Sequence, residues 1–127
     1  MKLYHYSRFE NLAETGIDPK FHGKGIRGAE SKRKKEPNWV DRSYYGTVNY
    51  IPETGLGEVK YETEIADNLI YDIWTDVRKI RKNTNSLNEF ESAIKELGYF
   101  GYHNSGYYGE IVAVFVTIFP TKSEVTG

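Results

Sequence analysis

The chain has 127 residues, a formal net charge of −1, no cysteine and eleven tyrosines. This length is enough for one domain with one core, which we expect over residues 1–127, and the lack of cysteine excludes disulfides and thiolate zinc sites. No apolar run approaches the roughly 18 residues of a membrane span, and the N-terminus lacks a secretory apolar stretch, so we expect a cytoplasmic protein with no membrane partner.

The first half of the chain predicts two strands separated by a glycine-rich, basic segment. Residues 2–7 are apolar and aromatic, which is typical of a short strand. Residues 8–28 contain several glycines and predict a loop, and residues 25–36 are a candidate basic helix that Pro37 stops. Residues 42–48 form the second strand candidate.

The second half predicts strands around one helix. Residues 58–66 alternate between apolar and charged side chains, which indicates a half-exposed strand, and residues 69–73 favour a strand or a turn into a helix. Residues 86–97 have a capping box at the start and an apolar stripe of Leu87, Phe90, Ile94 and Leu97, with Gly98 as the stop.

Two strand candidates follow the helix, at residues 99–104 and 110–119. The second is nearly continuous Val, Ile and Phe, which is typical of a central strand, and residues 123–127 are a polar tail. The predicted fold class is therefore α+β, dominated by strands.

Positive charge is segregated into two clusters. The first comprises Lys20, Lys24, Arg27, Lys32, Arg33, Lys34 and Lys35, and the second comprises Arg78, Lys79, Arg81 and Lys82. Such segregation indicates an anionic ligand or partner, although a solvated surface explains it as well. Nucleic-acid binding by the first cluster is an alternative that rests on electrostatics alone.

Three separated motifs carry side chains suited to nucleotide chemistry. His5 lies in Leu3-Tyr4-His5-Tyr6-Ser7, two tyrosines lie in Arg42-Ser43-Tyr44-Tyr45-Gly46, and Glu110 opens the Val/Ile-rich strand after Gly98-Tyr99-Phe100-Gly101-Tyr102. A His, a Tyr and a Glu in this order resemble the H-Y-E class of ADP-ribosyltransferases. Each also has a plain structural interpretation, as a core histidine or an ordinary strand residue.

The resemblance implies roles in binding NAD. His5 would hydrogen-bond the ribose next to the adenine, and Ser7 would help to hold the nicotinamide side. Tyr6 stands where the family usually has glycine, and its backbone N–H and C=O would meet the carboxamide. Tyr44 or Tyr45 would stack on the nicotinamide ring; in a strand they lie on opposite faces, so only one can meet the cofactor.

The resemblance makes Glu110 the catalytic acid, with His5 beside it. Its carboxylate would stabilise positive charge on the ribose as nicotinamide leaves, and would orient or deprotonate the acceptor. Glu62 and Glu64 form the E-x-E of the other large class of these enzymes, but the chain lacks that class's Arg and Ser-Thr-Ser.

The glycine-rich segment is the expected site for the pyrophosphate of NAD. Its backbone N–H groups would approach the phosphates, and Lys24 and Arg27 would pair with them. A flexible loop with solvated lysines is the alternative. His5, His22 and His103 are too scattered to predict a metal site.

The resemblance implies an ADP-ribosyltransferase-like split sheet around an NAD cleft, with few helices. The implied activity is mono-ADP-ribosyl transfer from NAD, as substrate, to a macromolecular acceptor, as in a phage or bacterial effector. The alternative is a non-catalytic protein on the same scaffold. It would bind or sequester an NAD- or ADP-ribose-type nucleotide, or inhibit a host partner.

Overall fold

The computed structural model describes residues 1–7, 9–20, 33–47, 59–104 and 111–123. Within them the strands and helices follow in chain order: β1 Lys2–Ser7, α1 Leu12–Thr15, β2 Ser43–Gly46, β3 Val59–Glu64, β4 Ile70–Asp72, α2 Leu87–Glu96, β5 Gly101–Asn104, β6 Ile111–Val114 and β7 Thr121–Ser123. A 3₁₀ turn, Asp67–Leu69, leads into β4.

The strands form one seven-stranded sheet in the order β4-β5-β6-β2-β1-β3-β7. Strands β4 and β5 are parallel, and all other neighbours are antiparallel. The predicted strand-rich α+β class with few helices is therefore confirmed, and β6 is central as expected.

Strands β1 and β2 meet along a short seam. Strand β1 pairs with β3 over its whole length, from Lys2–Glu64 to Ser7–Val59. Within the described residues, its register with β2 consists of the pair Tyr4–Gly46. In the described part of the chain, these two neighbouring strands near the centre of the sheet therefore share little backbone pairing.

Each face of the sheet has its own apolar cluster, because successive strand side chains point to opposite faces. One face buries Leu3, Tyr45, Tyr61, Val112 and Val114 under Leu12 of α1 and the nearby Ile17. The other buries Tyr71, Tyr102 and Ala113 against Phe90 and Ile94 of α2. His5 shares the face of Tyr45, and α2 lies on the opposite face.

Helix α2 begins as its sequence predicts. The Ser86 hydroxyl accepts a hydrogen bond from the Glu89 N–H at 3.1 Å. The Glu89 carboxylate accepts from the N–H of Asn85 at 3.2 Å, one residue earlier than a standard capping box requires. Two donors at the start of the helix are thus satisfied by side chains.

The end of α2 corrects one detail of the predicted stripe. The helix ends at Glu96, and Gly98 follows with a φ of +94°, a conformation that favours glycine. Leu97 is 51% exposed, so its assignment to the buried stripe was wrong. Leu97 is the C-cap residue that follows the last helical residue, Glu96.

The C-terminal region differs from the single long strand predicted for residues 110–119. Strand β6 ends at Val114, and Ile118 instead forms an isolated bridge with Ile17. Strand β7 was not predicted; it pairs with β3 through Lys60–Ser123 and Glu62–Thr121. Most of the helix predicted over residues 25–36 lies outside the described residues.

None of the helices in the described ranges is both long and apolar enough to span a membrane.

Candidate functional site

His5 lies at the seam between β1 and β2, half-buried. Its Nδ1 is 2.9 Å from the backbone oxygen of Tyr44. A carbonyl oxygen can only accept, so Nδ1 carries the hydrogen, and Nε2 of the neutral ring is an acceptor. The contact with Tyr44 therefore fixes the orientation of the His5 ring.

Tyr45 packs directly against His5. The ring centroids lie 5.3 Å apart with a 51° angle between the ring planes. Tyr45 is 3% exposed, and burial raises the pKa of its hydroxyl, which therefore stays neutral at physiological pH. That hydroxyl is buried and has no hydrogen-bond partner among the residues that the structure describes. In this arrangement Tyr45 orients the His5 ring and does not offer its own face to a ligand.

Tyr44 lies on the opposite face, as strand alternation predicts. Tyr44 is 38% exposed, and its side chain lies on the face of the sheet opposite to His5. Its backbone oxygen nevertheless holds the His5 ring in place. The two tyrosines therefore contribute differently, one through its ring and the other through its backbone.

Ser7 and Tyr6, the two other residues of the first motif to which the resemblance gives a role, are less accessible to a ligand than it implies. Ser7 is 7% exposed, and its hydroxyl accepts from the Phe9 N–H at 3.1 Å, so it stabilises the turn that follows β1. Tyr6 pairs in register with Lys60, on the face opposite to His5, and its hydroxyl is buried.

The three motifs lie on three adjacent strands. Gly46 pairs with Tyr4 on one side and with Ile111 on the other. Because paired Cα atoms are about 5 Å apart, Ile111 lies about 10 Å from Tyr4. Glu110 is outside the described residues. Lys24 and Arg27 are also outside the described residues.

His103 is a candidate that the sequence analysis missed. It pairs with Val112, which pairs with Tyr45, so His103 shares the face of Tyr45 and His5. Its Nε2 is buried and finds no hydrogen-bond partner within the described ranges. The available signal was its alternation with Tyr102 and Asn104, in a strand just before Glu110.

The rival acids Glu62 and Glu64 do not approach His5. Tyr61 is the residue that pairs with His5, so both acids have the opposite parity on β3 and lie on the other face. Glu62 forms an ion pair with Lys2 at 3.3 Å, and Glu64 is exposed. Their positions fit the solvent-facing interpretation. Within the described ranges, no group of three or more His, Asp or Glu could hold a metal ion.

Comparison of the chain with protein-family models, curated proteins and solved structures finds no match in any of the three. What supports a function is therefore the arrangement of His5, the two tyrosines and the start of β6.

Proposed function

We propose that this protein is a mono-ADP-ribosyltransferase that uses NAD as its substrate. In this proposal the sheet parts along the β1–β2 seam to form the NAD cleft. The observation that carries it is the meeting of the three motifs on β1, β2 and β6, with Gly46 paired to both Tyr4 and Ile111.

The proposed reaction exchanges one bond at C1′ of the nicotinamide ribose. The bond from C1′ to the nicotinamide nitrogen breaks, and nicotinamide leaves as a neutral molecule with the bonding electron pair. A nucleophile on the acceptor forms the new bond to C1′ and gives its proton to the Glu110 carboxylate or to water. Glu110 stabilises the positive charge that develops on the nicotinamide ribose, and His5 hydrogen-bonds the ribose next to the adenine.

One observation favours a non-catalytic nucleotide-binding protein as the second candidate. Tyr45 is 3% exposed and packed on His5, so it presents no open face for nicotinamide to stack on. Tyr6 also occupies the position where close backbone approach would favour glycine. Both features leave nucleotide binding possible while removing contacts that would orient nicotinamide for departure.

The test is the Glu110→Gln variant, assayed with labelled NAD for transfer to a cell lysate and for NAD affinity. We expect transfer to fall by at least about 100-fold, the effect of removing one group that stabilises transition-state charge. NAD affinity should stay within about tenfold, because Glu110 acts mainly on the transition state. Glu64→Gln, which removes an exposed acid on the other face, is the matched control and should transfer normally.

The outcomes separate the candidates. Transfer at the wild-type rate by Glu110→Gln would place the acid elsewhere and contradict the proposed mechanism. Tight NAD binding by the wild-type protein, without release of nicotinamide, would establish the second candidate in place of the first. If the wild-type protein neither binds NAD nor transfers ADP-ribose, both candidate functions are rejected.

A further inference from the structure

The segment between β4 and α2 presents an aromatic ring in a fixed orientation. We call residues 73–84 the Trp74 loop. Trp74 is 64% exposed, yet its indole N–H donates to Asn104 Oδ1 at 2.5 Å. An exposed ring that is held in place can stack on a flat partner without first losing side-chain freedom.

The same loop carries the second basic cluster. Four cations occur within five positions: Arg78, Lys79, Arg81 and Lys82. Lys79 and Lys82 are exposed. Arg78 is also exposed, and its Nη1 donates to the Tyr99 hydroxyl at 3.2 Å, which holds its guanidinium at the surface.

The carboxylates of this region face its own backbone. Asp72 Oδ1, at the end of β4, accepts from the Trp74 N–H at 2.8 Å. Asp76 accepts from the N–H groups of Arg81 and Lys82 at 3.0 and 2.9 Å. The negative charges thus organise the loop from within, and the loop keeps both its indole and three of its cations exposed.

We propose that the Trp74 loop binds single-stranded nucleic acid. Bases stack on aromatic side chains while cations neutralise the backbone phosphates, and the loop carries both kinds of exposed group within residues 74–82. An acidic peptide would use the cations but has no flat face to match Trp74. Asn104 pairs with Ile111, so a bound strand lies beside the start of β6. The idea that the bound nucleic acid is the acceptor of ADP-ribose rests on the proposed function, whereas the binding of nucleic acid does not.

The experiment measures fluorescence anisotropy of a labelled single-stranded DNA of about 12 nucleotides, a length within known site sizes. No NAD is present, so failure of the proposed enzyme activity does not affect the result. Trp74→Ala should weaken binding about tenfold, and Trp74→Phe, which keeps an aromatic face, should retain most of the affinity. Lys79→Ala with Lys82→Ala should lower the slope of log affinity against log salt by about 1.4, since each phosphate contact contributes about 0.7.

Two matched controls lie elsewhere on the molecule. Phe119 is 66% exposed, and Phe119→Ala should leave binding unchanged. Lys122 is exposed on β7, at the opposite edge of the sheet from β4, and Lys122→Ala should also have no effect. The proposal is overturned if the wild-type protein does not bind, or if Trp74→Ala and Trp74→Phe both bind as tightly as wild type. It is also overturned if polyglutamate competes with the labelled DNA as effectively as unlabelled DNA does, because that result would indicate an acidic protein partner.

Discussion

Glu91 is the most constrained charged residue in the described part of the chain. It is 0% exposed, and its carboxylate accepts from Arg42 Nη2 and from the Tyr102 hydroxyl, both at 2.8 Å, and also from Arg33. This network ties residues 33–42 to α2, directly before β2 begins. It therefore helps to set where the tyrosine pair lies relative to β1.

Replacing Glu91 with alanine should strongly destabilise the protein. Arg42 is 4% exposed and would lose the carboxylate that lies 2.8 Å from its Nη2, so its buried charge would be less well compensated. We expect the free energy of unfolding to fall by about 3–5 kcal/mol, measured by urea denaturation.

Glu96→Ala, which removes an exposed acid from the same helix, should change the free energy of unfolding by less than about 0.5 kcal/mol. If Glu91→Ala has an equally small effect, the buried network does not anchor residues 33–42 in the way described.

At this scale the sequence reveals motifs but not their partners. A glutamate in a helix ordinarily predicts a surface residue, and Arg33 and Arg42 lie 58 and 49 positions away from Glu91. Alternation predicted that Tyr44 and Tyr45 lie on opposite faces. Which of them packs on His5 depended on how β2 meets β1 and β6, and no local pattern contains that information.

At the scale of elements, the Trp74 loop is organised around one carboxylate. Burial by itself would raise the pKa of Asp76, but hydrogen bonds from the Tyr71 hydroxyl and from the N–H groups of Arg81 and Lys82 outweigh it, so the net pKa is lowered. Asp76 also has a φ of +42°, which Asp and Asn tolerate better than most residues. The ionised carboxylate thus stabilises an otherwise unfavourable turn.

This lowered pKa predicts a pH-dependent contribution to stability. A carboxyl with a lowered folded-state pKa stabilises the fold above its unfolded-state pKa, here 3.8, and the contribution is lost as pH falls through the folded value. Asp76→Asn keeps the backbone preference but cannot ionise. The difference in unfolding free energy between wild type and Asp76→Asn should be largest near neutral pH and should shrink in acid.

Urea denaturation of both proteins between neutral pH and about pH 2 measures that difference. Glu96→Ala, which also removes a negative charge, controls for the change in net charge. A difference that stays constant over the whole range would contradict a role for the ionised form of Asp76.

Elements with local signals were predicted, and elements built by distant contacts were not. Helix α2 was found because its cap, its apolar positions and Gly98 all lie within the segment. Strand β6 ends at Val114; Phe115 still donates to the Phe100 oxygen in the register of β5 and β6, whereas Ile118 pairs with Ile17, which is distant in sequence. Strand β7 has only polar side chains, and α1 has four residues, so neither shows a usable periodicity.

At the scale of the whole molecule, the order of strands creates the candidate site. The first strand of the chain lies near the middle of the sheet, between β2 and β3, and the late strand β6 lies on the other side of β2. This order brings His5 and the start of β6 to neighbouring positions and adds His103 to the same face. The sequence predicted the three motifs and their order, but only strand pairing shows that their strands are adjacent.

The two outermost strands have a consequence for self-association. Within the described residues, β4 and β7 are each three residues long, with Asp72 at one edge and the exposed Lys122 at the other. Short, charged edges are poor templates for a second copy of the chain, whereas β3 next to β7 is six residues long. Removing residues 121–127 would uncover that longer strand, and light scattering should then show particles that grow with protein concentration. A truncated chain that stays monodisperse would mean that β7 is dispensable as a shield, and that other features keep copies of this sheet apart.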